Sequence, residues 1–163
     1  MKLDVPIFSR SECTVEISRK DINDLVEHWN GPEIDLAYFD PPYNQHPYGS
    51  NYFMLNLIAG DETAFDIQDG VSGISKKWNR SAYNKSAPAA RAMERLIAYT
   101  PAKYILLSYN DEGIIPIDTM REILSKHGRV ELRDQDYNTY RGSRNLRDRS
   151  IKVKEFLWIL EKC

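Results

Sequence analysis

Cysteine is nearly absent from this chain: Cys13 and Cys163 are its only two, far apart in the sequence. That excludes a disulfide framework and a cysteine-based zinc site, and the pair reads as free thiols of a reducing compartment. Histidine is equally sparse, and His28, His46 and His127 show no metal-ligand spacing, so no metal is expected. No apolar run approaches the ~20 residues that a membrane span requires. No charged stretch leading into an apolar one opens the sequence, and a cytoplasmic location is the expectation. The eight glycines are scattered, and there is no internal repeat or low-complexity tract.

The 163 residues suit one compact domain, and a single domain over 1–163 with one sheet is expected. Composition is ordinary for a globular protein, at 42% hydrophobic and 28% charged. Positive charge is scarce in the first half only. Residues 1–75 hold four Lys/Arg against thirteen Asp/Glu, and residues 76–163 hold eighteen against eleven, so a net charge of −2 hides a basic second half. One loaded face of a nucleic-acid binder would produce this pattern, and so would a chance split of solvated charges.

Periodicity orders the elements. "CTVEI" (13–17) alternates as a strand, and 18–29 follows as a helix with Ile22, Leu25, Val26 and Trp29 on one face and Ser18 as N-cap. "IDLAYF" (34–39) reads as a strand covered on both faces. Residues 50–60 read as a helix, and 61–86 as a polar excursion, long for a compact domain. A helix over 87–100, with Pro88 near its first turn, leads to a buried strand at 102–110. A helix over 115–128 has Asp118 as cap and Gly128 as stop. Residues 129–140 and 154–162 then give two strands in a row. The expected fold is α/β, with parallel strands and helices and a final antiparallel strand pair.

Asp40-Pro41-Pro42-Tyr43 sits just past the C-terminal end of the strand at 34–39, where open α/β sheets place their ligands. The prolines donate no hydrogen bond and fix φ, so neighbouring carbonyls stay free to accept at set angles. The Asp40 carboxylate and the Pro41 carbonyl thus form a pair of acceptors, with the Tyr43 ring beside them. An exocyclic amino group of a nucleobase needs such a pair, because its lone pair is delocalised until acceptors draw on its hydrogens. A flat ring would hold the base by stacking, worth roughly 1–3 kcal/mol. The plainer reading is a strand ending in a proline turn, with Asp40 as a cap and Tyr43 as packing.

The tetrapeptide resembles the catalytic motif of amino-group methyltransferases that use S-adenosylmethionine. The longer "DPPYNQHPYGSNYFMLNLIA" resembles the Dam-like class of DNA adenine-N6 methyltransferases, particularly modification methylases of type II restriction systems. Residues 78–97, 102–115 and 137–160 are similar to the same class in the same order. The resemblance implies a Rossmann-like sheet and methyl transfer to an adenine flipped out of double-stranded DNA. It implies that Asp40 and Pro41 accept the N6 hydrogens, that Pro42 fixes the turn, and that Tyr43 stacks on the base. Tyr48 and Tyr52 then either wall the base pocket or simply pack, and Asn44 is expected to hydrogen-bond the turn. Asp21, in a segment that resembles the class after its third acidic strand, is the candidate for contact with the cofactor's adenine, with Tyr38, Phe39 and Asp40 lining the same pocket.

Residues 141–154 hold six Lys/Arg and one acid. Arg141, Arg144, Arg147, Arg149, Lys152 and Lys154 are therefore expected at DNA phosphates. Lys76, Lys77, Arg80 and Lys85 form a sparser basic group in the excursion, expected to face DNA. The class also carries a Gly-rich turn, roughly Phe-x-Gly-x-Gly, beside the cofactor, and none of the eight glycines here forms it. The chain therefore resembles the C-terminal part of such an enzyme. An N-terminal half or partner subunit with that turn is expected, and with it a chain inactive alone. Transfer to cytosine N4 or to RNA, or a non-catalytic DNA-binding remnant, remain as alternatives.

Overall fold

A computed structural model of the chain describes residues 7, 11–59, 80–138 and 152–163. Among the described residues, four strands form one sheet in the order β1-β2-β4-β3, with β1 at Ile34–Phe39, β2 at Ala102–Asn110, β3 at Gly128–Asn138 and β4 at Lys152–Lys162. β1 and β2 run parallel, and β4 runs antiparallel to both β2 and β3. The expected antiparallel ending is present, with the last strand inserted between β2 and β3.

The helices are α1 (Ile22–Glu27), α2 (Tyr48–Asn51), α3 (Phe53–Ala59), α4 (Ser86–Tyr99) and α5 (Ile117–Ser125), with a single 3-10 turn at Ala82–Asn84. Asp21, not Ser18, caps α1. Its carboxylate accepts the N–H groups of Asn23 at 2.9 Å and Asp24 at 3.4 Å, and a carboxylate also complements the helix dipole. Pro116 takes the N-cap of α5, leaving Asp118 in the first turn. Gly128 opens β3 instead of stopping a helix. Its φ of +156° suits glycine, and a Cβ there would collide with the Glu161 carbonyl oxygen. The helix expected over 50–60 divides at Tyr52, and the excursion expected to reach 86 ends in the 82–84 turn and the start of α4.

Two strand expectations fail. Residues 13–17 form no strand, with Val15 69% and Ile17 92% exposed. Alternation supplies a face, but a strand also needs a neighbour, and none pairs with this segment among the described residues. β1 is not covered on both faces. It lies at the sheet edge among the described residues, with Leu36 51% and Tyr38 59% exposed.

Register explains the asymmetry. Ile105, Leu107 and Tyr109 of β2 oppose Leu160, Trp158 and Phe156 of β4, and all six are buried. Met93, Leu96 and Ile97 of α4 and Met120, Ile123 and Leu124 of α5 join them in one core. The alternate residues Leu36, Tyr38, Tyr104, Leu106, Leu157 and Ile159 occupy the other face, half-buried or exposed. The Lys162 ammonium closes the C-terminal end of α4 by donating to the carbonyls of Ile97, Ala98 and Thr100 at 2.8–3.1 Å. Among the described residues, no helix is long and apolar enough to cross a membrane.

Candidate active site

The strand directions gather the chemistry at one end of the sheet. Parallel β1 and β2 finish side by side, and antiparallel β4 begins there, Asn110 facing Glu155 across the ladder. Asp40-Pro41-Pro42-Tyr43 leaves β1 at this end. Pro41 is buried, Pro42 and Tyr43 are half-buried, and the Asp40 side chain is exposed.

Three main-chain and side-chain contacts fix the turn. The Ile114 N–H donates to the Tyr43 carbonyl at 2.8 Å. The Asn44 side-chain oxygen accepts the His46 N–H at 2.9 Å, as expected of a turn residue. The Tyr43 ring stands edge-on to Tyr109 at 6.2 Å, and the buried Tyr109 hydroxyl accepts the Ile115 N–H at 3.0 Å. Gly113 lies against that ring so closely that a Cβ would overlap it. Burial, then the Glu155 and Asp40 carboxylates, push the Tyr43 phenol up from its ordinary value, so it stays neutral at physiological pH.

A cleft of about 580 Å³ opens beside the turn. It brings together Asp21, Tyr38, Phe39, Asp40, Pro41 and Pro42, which the sequence assigned to cofactor and catalysis. Tyr48 and Arg80 also line it. Tyr43 faces a neighbouring cavity of about 360 Å³ with His46, Glu112 and Ile114. Tyr48 and Tyr52 do meet, their ring centroids 5.7 Å apart and each about half exposed. Tyr52 does not line the cleft, and Lys85 lies outside it on the surface.

Lys152 and Lys154 stand at the site's end of the sheet, but their charge is met locally. Lys154 pairs with Asp134 at 2.7 Å and Asp136 at 3.8 Å, and Lys152 approaches Asp136 at 3.9 Å. Lys76, Lys77, Arg141, Arg144, Arg147 and Arg149 lie outside the described residues, as does 61–79 of the excursion.

Sequence reasoning missed Arg19 and Lys20, which line the cleft beside Asp21. It also missed Asn84, Tyr109 and Glu155. One signal could have found part of this set: the dipeptide Tyr-Asn occurs at 43–44, 83–84, 109–110 and 137–138. The first three pairs converge here.

Glu155 is half-buried opposite Asn110. Burial raises its pKa, the Asn110 hydrogen bond partly offsets this, and the Asp111 and Asp40 charges add to the rise. A carboxyl raised in the fold contributes stability below its unfolded pKa of about 4.3, and that contribution is lost as pH climbs through the folded value. Glu155→Gln is therefore expected to raise the unfolding midpoint over wild type at about pH 7 and to lose that advantage near pH 4. Thermal melts at the two pH values check this; an equal difference at both would contradict it.

An α/β sheet here carries prolines, a carboxylate and aromatic rings at the carboxyl end of a parallel strand, the usual ligand position of open sheets. The comparisons make the class specific. The chain belongs to the D12 class N6 adenine-specific DNA methyltransferase family, whose model matches residues 7–123. It is similar to the type II methyltransferase M.NlaIII of Neisseria lactamica, at 31% identity over 99% of this chain and 47% of that protein. It is also similar to M.CviAII of Paramecium bursaria Chlorella virus 1, at 31% identity over 78% of the chain and 36% of the relative. The modification methylase StsI of Streptococcus sanguinis matches at 31% identity over 98% of the chain and 24% of its own length. The chain thus spans less than half the length of these curated relatives. No solved structure matches it.

Proposed function

We propose that this chain carries the target-base site of a DNA methyltransferase that modifies adenine N6 in double-stranded DNA, within a restriction-modification system. The observation that carries this reading is the meeting of Asp40, Pro41, Tyr38, Phe39 and Asp21 in one cleft at the end of β1. The Asp40 carboxylate and the Pro41 carbonyl accept the two hydrogens of the amino group and shift electron density onto nitrogen. Neutral Tyr43 offers its ring to the flipped base, and Tyr48, at the cleft edge, walls the pocket. Because the acceptors are fixed before the base arrives, little reorganisation opposes the reaction.

The methyl donor of this reading is S-adenosylmethionine, which supplies a methyl group on a positively charged sulfur. The cleft suits such a ligand in part. Tyr38 and Phe39 give aromatic walls, and the Asp21 carboxylate, although it caps α1, reaches the cleft to meet an adenine amino group. No residue here takes the place of the Gly-rich turn. β1 has no neighbour on its outer edge among the described residues, and this edge with the exposed Leu36 and Tyr38 favours further polypeptide bearing that turn, in the same protein or a partner subunit, as what covers them.

DNA is expected to approach over the end of the sheet where β4 begins. Arg80, with Arg19 and Lys20, rims the cleft with positive charge, and Lys152 and Lys154 stand where β4 begins. On this reading Lys76, Lys77, Lys85, Arg141, Arg144, Arg147, Arg149, Lys152 and Lys154 contribute phosphate contacts, with Lys152 and Lys154 exchanging their aspartate partners for phosphates.

Mass spectrometry of nucleosides from cells expressing the complete locus tests the reaction. N6-methyladenine is expected in DNA. N4-methylcytosine in its place, or no methylated base, would refute the assignment. The chain by itself is expected to bind the donor weakly and not to turn over, so robust methylation by it alone would remove the need for a partner.

A further inference from the structure

Asn84 ends the 82–84 turn and is only 5% exposed. Its side-chain amide donates to the Asn44 carbonyl at 2.8 Å and lies 3.5 Å from the His46 carbonyl. Both carbonyls belong to the segment that continues directly from Tyr43. The Ile114 N–H holds the Tyr43 carbonyl at 2.8 Å. The acceptor turn is therefore gripped from two elements distant in sequence.

The arm that presents Asn84 is itself anchored. The Ser81 hydroxyl accepts the Tyr83 N–H at 3.2 Å. The buried Tyr83 hydroxyl donates to the Asn23 side-chain oxygen at 2.8 Å, and the Asn23 amide donates to the Ala92 carbonyl at 2.8 Å. Helices α1 and α4 thus hold Tyr83, and Tyr83 sets where its neighbour Asn84 reaches. A buried network whose members are satisfied in this way is rigid.

We propose that Asn84 is a positioning residue for methyl transfer: it pins the carbonyls of Asn44 and His46 and so sets the direction in which Asp40 and Pro41 accept the target amino group. This rests on the reading of Asp40 and Pro41 given above. The Asn84 amide supplies the donor for these carbonyl oxygens. A carboxylate of the same shape would repel them and release the turn. Reactive geometry is sensitive to displacements of about 1 Å, so a loosened turn lowers the rate.

The isosteric Asn84→Asp variant is the test, read in two ways. Amide hydrogen exchange, followed by NMR on the full chain, is expected to quicken about tenfold or more at Ile114 and His46. Exchange at Ile105 and Leu107 in β2 should stay within about twofold of wild type. Unchanged exchange at Ile114 and His46, or a uniform rise that includes Ile105 and Leu107, would overturn the proposal.

In the complete enzyme, kcat is expected to fall between about tenfold and about a hundredfold, with KM for the methyl donor within about twofold. An unaltered kcat would overturn the proposal even if exchange quickens. A wild-type enzyme that transfers no methyl group would instead refute the reaction assigned above, and the exchange measurement would still decide whether Asn84 holds the turn. Should Asn84→Asp fail to fold, Asn84→Ala removes the same donors without adding charge and is read identically.

Discussion

Replacing Asp40 with alanine is expected to remove N6-methyladenine from the DNA of cells expressing the complete locus, a fall in rate of at least about a hundredfold to a thousandfold. The magnitude follows from the chemistry of the nucleophile. An aromatic amine attacks only when something takes up the positive charge that forms on nitrogen, and the Asp40 carboxylate is the one charged acceptor on the turn. Pro41 contributes a neutral carbonyl, which the substitution leaves in place. Asp40→Asn separates charge from shape. It keeps one acceptor oxygen, adds an N–H group where the amine needs none, and is expected to be nearly as damaging as alanine.

Neither change should disturb the fold. The Asp40 side chain is exposed, and no hydrogen bond to it is seen among the described residues. Unfolding free energy should therefore shift by no more than about 0.5 kcal/mol. Wild-type methylation persisting in a well-folded Asp40→Ala protein would rule out the assigned role.

Much of the site was legible because it is local. Asp-Pro-Pro-Tyr is contiguous, its prolines fix their own backbone, and the apolar run of a strand ending just before it locates it at the ligand end of a sheet. The strand bounds 34–39 and 102–110 could be read directly, since the apolar runs there end in turn residues. What could not be read depends on neighbours. The openness of β1 is a property of the strand beside it, and the side chains of Leu36 and Tyr38 look the same whether or not a partner exists. The absence of a strand at 13–17 among the described residues has the same cause.

Asn84 was invisible for another reason. It acts on the main chain of residues forty positions away, so neither periodicity nor charge marks it, and only the recurrence of Tyr-Asn hinted at its company. The lysines at 152 and 154 are the reverse case. Their charge was legible, but the aspartates that meet it lie across the ladder on β3, at positions the one-dimensional count of the basic loop did not include.

The largest effect on stability is expected at Trp158. It is 1% exposed at the centre of β4, opposite Leu107 on one side and Leu132 on the other. Phe156 meets its ring edge-on at 6.3 Å, and the Arg121 guanidinium lies 5.3 Å from the ring centre. Trp158→Ala leaves a void that the flanking strands cannot close without breaking register, and about 3–5 kcal/mol should be lost. Trp158→Phe separates volume from hydrogen bonding. The indole N–H finds no acceptor among the described residues, so phenylalanine forfeits area and gains relief from an unsatisfied donor. Its cost should therefore stay below about 1.5 kcal/mol. Because β4 joins β2 to β3, the alanine variant should also loosen the Asn110–Glu155 end of the ladder, where the β2 loop supports Tyr43. Chemical denaturation of the two variants checks the ordering. If phenylalanine proved as destabilising as alanine, a hydrogen bond of the indole, and not its volume, would be what β4 depends on.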